Sequence, residues 1–107
     1  MIDNYRKVSE NIRRHYVNAV EKHPFFCNQL FKDKPKKVSY AKLVKDAKIS
    51  RDFKAGIGTC NMCDVLTAEI YEIFAACEKG NYEQAEYEVY DAIAVLLRAL
   101  DVICERQ

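Results

Sequence analysis

A chain of 107 residues, half of them apolar, can bury one modest core and has no length for a second, so a single domain over residues 1–107 is expected. No apolar run reaches membrane-spanning length and no signal-like apolar segment follows the start, which excludes a membrane span and points to the cytoplasm. The formal net charge of +1 hides an internal polarity: residues 32–54 hold nine Lys/Arg against three Asp/Glu, and residues 55–107 hold three against ten.

Glycine and proline are scarce, hairpin dipeptides are absent, and apolar residues recur at i, i+3 and i+4, so the fold class is all-α. A first helix is expected from about Asn4 to Lys22, with Tyr5, Val8, Ile12, Tyr16 and Ala19/Val20 as its apolar stripe and Pro24 as its stop. "HPFFCNQLF" reads as a short buried connection, and "KDKPKK" as a surface loop. Ser39 caps a short helix carrying Tyr40, Leu43, Val44 and Ala47, and Ser50 caps a further turn that places Phe53 inward before "GIG" frees the chain to turn.

Thr59 is the expected N-cap of a long helix to about Glu78, with Met62, Leu66, Ile70, Ile73, Phe74 and Cys77 as its core stripe and Gly80 ending it. Asn81 and Gln84 stand at capping-box spacing and open the last helix, to about Cys104, through Val89, Ile93, Leu96, Leu97, Leu100 and Ile103. The expected architecture is a small helical bundle built on a long antiparallel helical hairpin.

Folding that hairpin about Gly80 sets residues whose numbers sum to about 160 at one height, so Glu69 meets Asp91 and Glu72 meets Glu88. The two levels lie about 4.5 Å apart. Glu69 and Glu72 share a stripe with Val65 and Ala76, and Glu88 and Asp91 share one with Val95, Ala99 and Val102. Four half-buried carboxylates this close repel one another strongly, and a divalent cation removes the conflict. Oxygen ligands without a neighbouring histidine favour Mg²⁺ or Mn²⁺ over zinc.

The pieces "AEIYE", "IFAACEKGNYEQAEY" and "EVYDAIAVLLRALDVI" resemble the MazG-like, all-α nucleoside triphosphate pyrophosphohydrolase family, whose motif is E-E-x-x-E, a spacer, then E-x-x-D. The stretch 65–103 carries the resemblance; Ala68 stands where the family has the first of two adjacent glutamates, whereas Glu69, Glu72, Glu88 and Asp91 match. The resemblance implies cleavage of an NTP or dNTP to a monophosphate and pyrophosphate, metal ligation by those four carboxylates, and a homodimer or homotetramer. On this reading Glu72 orients or deprotonates the attacking water. Arg98, on the stripe of Asp91, and Lys79, at the turn, are candidates to meet substrate phosphate, and the basic segment around Lys42, Lys45 and Lys48 is a candidate wall of the pocket.

Two other classes compete. Residues 39–58, "SYAKLVKDAKISRDFKAGIG", have the outline of a helix-turn-helix that would enter a DNA major groove, although two early glycines cut its second helix short and make nucleic acid an improbable partner. A non-catalytic helical interaction or dimerisation module would leave the acidic helices solvated and place the apolar excess between subunits. "CNMC" at 60–63 has the C-x-x-C form but lacks two further ligands at matching spacing for zinc. Five scattered cysteines, Cys27, Cys60, Cys63, Cys77 and Cys104, suggest no disulfide framework, and His15 and His23 lack a neighbouring nucleophile or carboxylate motif.

Overall fold

The computed structural model describes residues 4–24 and 39–107; the expected connection and loop over residues 25–38, with Cys27, lie outside the described residues. Among the described residues there are four helices and no strand: α1 (Tyr5–Lys22), α2 (Tyr40–Gly56), α3 (Met62–Glu78) and α4 (Tyr82–Glu105). None is long and apolar enough to cross a membrane. The chain divides into two compact units, residues 1–32 and 33–107.

The first unit holds α1. Asn4 caps it, its side chain accepting from the Lys7 N–H at 3.0 Å. The last turn closes with the His23 N–H donating to the Ala19 carbonyl at 2.9 Å, immediately before Pro24. No residue of this helix is buried, and Tyr5, Ile12, Tyr16 and Val20 stand exposed along it.

In the second unit, α3 packs against both α2 and α4. Ser39 caps α2 by accepting from the Lys42 N–H at 3.1 Å. The helix then runs unbroken through Ser50, because nothing in "AKISRDF" breaks the hydrogen-bond ladder and the serine cap is not needed there. The expected division into two short helices is therefore corrected, and with it the turn that a helix-turn-helix requires; Phe53, expected inward, is 69% exposed. The helix ends in a glycine cap, with Gly58 at φ +75° donating to the Ala55 carbonyl and Thr59 N–H reaching the Lys54 carbonyl at 2.8 Å.

Thr59 is thus consumed in ending α2, and the N-cap of α3 is Asn61 instead. Asn61 accepts from the Asp64 N–H at 3.1 Å while Asp64 accepts from the Asn61 N–H at 3.0 Å, a complete capping box. Asp64 also receives Lys54 Nζ at 2.8 Å, which ties the end of α2 to the start of α3. At the other end, Gly80 at φ +73° donates to the Cys77 carbonyl and Asn81 N–H reaches the Ala76 carbonyl at 2.9 Å. This paired-bond cap leaves three residues between α3 and α4.

The buried apolar residues are Tyr40, Ala68, Ala76, Ala85 and Ala92, with the Tyr40 ring set edge-on to Phe74 at 5.3 Å. Among the described residues no large side chain is fully buried. Two adjacent stripes run along α4. The one with Ala85, Glu88 and Ala92 is buried, whereas Val89, Ile93, Leu96 and Ile103, expected in the core, are exposed, as are Met62 and Ile70 of α3. Asp101, half a turn round the helix from Ala92, is buried separately. Periodicity locates both stripes but does not rank them.

Candidate metal centre

Glu69 of α3 and Glu88 and Asp91 of α4 come together where these two helices pack. Glu69, Glu88 and Asp91 each offer one carboxylate oxygen, and these atoms all lie within 4.8 Å of one another. Oxygens around a six-coordinate Mg²⁺ stand about 3–4 Å apart at bond lengths near 2.1 Å, somewhat closer than the bound on the triad's separations.

A second observation goes beyond acidity. Glu88 is only 9% exposed, and its Oε2, like Oε2 of Glu69, is buried with no hydrogen-bond donor. Such orphaned anionic oxygens are costly unless a proton or cation meets them. Gln84, one turn earlier on α4, donates to the other oxygen of Glu88 at 2.6 Å.

Glu72 is placed differently. It is outside the triad and ion-paired with Lys48 Nζ from α2. Burial, the bond to Glu72 and the nearby charges of Glu72 and Glu69 push the Glu88 carboxyl up to about 7, with the Gln84 bond opposing. For Glu72, burial works against ionisation, but the hydrogen bonds from Glu88 and Lys48 outweigh it and hold the carboxyl below its ordinary range. Glu69 is raised by burial and then by the charges of Glu72 and Asp91.

Sequence reasoning named neither cation that faces this cluster as a partner of its carboxylates. Lys48 pairs with Glu72, and Arg51, bonded to Asp52 at 3.0 Å, also feels the charges of Glu72 and Glu69. The signal was present in the i, i+3 spacing of Lys48 and Arg51 on α2, but only packing of α2 on α3 selects that face.

The phosphate candidates separate. Lys79 lines a cleft of about 310 Å³ with Lys48, Glu72, Gln84 and Glu88. Arg98 instead donates to Asp101 at 2.8 Å, about 10 Å along α4 from Asp91, and lies at the wall of an apolar groove with Val65, Val95 and Val102. Ala68, which stands where the MazG-like motif that the sequence resembles carries a glutamate, is 0% exposed. The four described cysteines, Cys60, Cys63, Cys77 and Cys104, are free. No family model, curated protein or solved structure matches this chain.

Proposed function

We propose that this chain is a Mg²⁺- or Mn²⁺-dependent nucleotide pyrophosphohydrolase of the MazG-like kind, cleaving an NTP or dNTP to a monophosphate and pyrophosphate. The observation that carries the reading is the convergence of Glu69, Glu88 and Asp91 around two buried carboxylate oxygens that lack a donor. The antiparallel pairing of α3 and α4 about Gly80 would bring the two acidic motifs to one height, as the family resemblance implies. A homodimer or homotetramer acting in the cytoplasm belongs to the same proposal.

A divalent ion in such a site neutralises phosphate oxygens and lowers the pKa of bound water. Glu69, Glu88 and Asp91 hold it, and Gln84 keeps the Glu88 carboxyl in place. Glu72, held below the ordinary carboxylate range, is suited to accept a hydrogen bond from the attacking water and orient it. Lys79 meets phosphate charge from the adjoining cleft. The Asp101 pairing of Arg98 makes it the weaker phosphate ligand of the two.

A second reading, a non-catalytic interaction module, draws on the exposed row Val89, Ile93, Leu96 and Ile103. One experiment separates the two. Pyrophosphate release is measured from a panel of NTPs and dNTPs with Mg²⁺ or Mn²⁺, beside folded Glu69→Gln and Glu88→Gln variants. Release by the wild type that both substitutions abolish supports the enzyme; no release from any nucleotide, with no metal-dependent rise in Tm, leaves the interaction module.

A further inference from the structure

Lys48 holds an unusual position for a lysine on a solvated helix. Its ammonium pairs with Glu72, whose side chain is 15% exposed, and also feels the charge of Glu88, a member of the triad. Its own side chain is 45% exposed and lines the cleft of about 310 Å³ shared with Lys79. The cleft is lined by Glu72 and Glu88 as well as by Lys79, so the ammonium lies where a ligand in the cleft would meet both the carboxylates and a second lysine.

Charge explains why it sits on Glu72. The cluster holds four carboxylates, and the cations of α2 that face it are Lys48 and Arg51, the second already bonded to Asp52. Lys48 is therefore the nearest mobile positive charge to a site that is short of positive charge. A divalent cation in the triad repels the ammonium and draws on Glu88, whose charge Lys48 also feels.

We propose that Lys48 is a displaceable counter-ion of the carboxylate cluster, which leaves Glu72 for an anionic oxygen of a ligand in the Lys48–Lys79 cleft once the triad is charged with a divalent cation. This deepens the proposed function and rests on its metal site: Lys48 becomes the residue that couples metal loading to capture of a phosphate chain. Two opposite effects of one substitution follow. Removing the lysine takes a positive charge away from beside the triad and strengthens metal binding alone, yet it deprives the anion of its partner and weakens anion binding to the metal-loaded protein.

The test measures Mn²⁺ binding by the electron paramagnetic resonance signal of the free ion, near pH 8, for the wild type, Lys48→Met, Lys48→Gln, Lys48→Arg and Lys45→Met. Calorimetry with inorganic pyrophosphate follows, with and without Mn²⁺. Lys48→Met and Lys48→Gln are expected to bind Mn²⁺ about fivefold more tightly and, with Mn²⁺ present, to bind pyrophosphate about fivefold more weakly, the scale of a half-exposed ion pair. Lys48→Arg should stay near the wild type in both, and Lys45→Met, which removes the same charge from a solvated position of α2, should change neither. Wild-type Mn²⁺ binding that Lys48→Met and Lys48→Gln leave unchanged or weaken overturns the role of Lys48 while the metal site stands. Tighter Mn²⁺ with unchanged pyrophosphate binding overturns it as well. A wild type that binds no Mn²⁺ overturns both the metal site and this role.

Discussion

Gln84 Nε2 donates to Glu88 Oε1 at 2.6 Å, one helical turn away on α4. Gln84 stands at the third helical position after the Asn81 cap, where it would ordinarily reach back to close a capping box; Asn81 accepts from its backbone N–H, but its side chain reaches forward to the carboxylate. The first turn of α4 is thus built to hold a site residue as well as to start a helix.

Replacing Gln84 with Leu should therefore act on Glu88. The glutamine bond opposes the upward pull of burial and neighbouring charge, so its loss raises the pH at which Glu88 titrates. Carboxyl carbon NMR of the metal-free protein reads this directly. An unchanged Glu88 titration would mean that the bond does not govern the carboxyl.

Metal-free stability should fall as pH rises from about 4.5 to about 7, by on the order of 2–3 kcal/mol. The sign follows from Glu88: its folded pKa lies above its unfolded value, so in that window the folded state keeps a proton that the unfolded chain has released. Glu69, also raised, acts in the same sense, whereas Glu72, lowered, contributes stability that is lost only as pH drops below the ordinary carboxylate range. Urea midpoints in a chelator at either end of the window check this, and a rise with pH would contradict it. Added Mg²⁺ must displace the Glu88 proton, so its stabilising effect should be larger above about pH 7 than below.

Placing a glutamate at position 68, as in the motif that the sequence resembles, should unfold the protein rather than add a ligand. Ala68 is fully buried, so the longer side chain must displace packed neighbours and carry a carboxylate into an apolar contact, a loss of several kcal/mol. Ala68→Leu, without the charge, should cost about 1–3 kcal/mol. Thermal unfolding of both variants decides the matter, and an Ala68→Glu protein as stable as the wild type with tighter Mg²⁺ binding would show that the position can serve as a ligand.

At the start of α3, Asn61→Ala should lower stability by about 1 kcal/mol, because it removes the acceptor for the Asp64 N–H. Thr59→Ala, at the position sequence reasoning favoured, should spare the cap of α3. Denaturant midpoints for the pair test which residue starts the helix.

Sequence alone determined the helical class, the caps Ser39 and Asn81, the glycine that ends α3, and the two acidic pairs at spacing three, because these depend on local backbone chemistry and on periodicity. It misplaced the start of α3, since Thr59 and Asn61 are both competent caps and the end of α2 uses the first. Tertiary packing decided the rest. Which of two stripes on α4 turns inward depends on how α4 packs on α3, and it is the alanine stripe that is buried, carrying Glu88 with it. Packing of α2 on α3 sets Lys48 against Glu72 and withdraws Glu72 from the triad, a choice made by side chains that are distant in the chain and therefore invisible to spacing within any one helix.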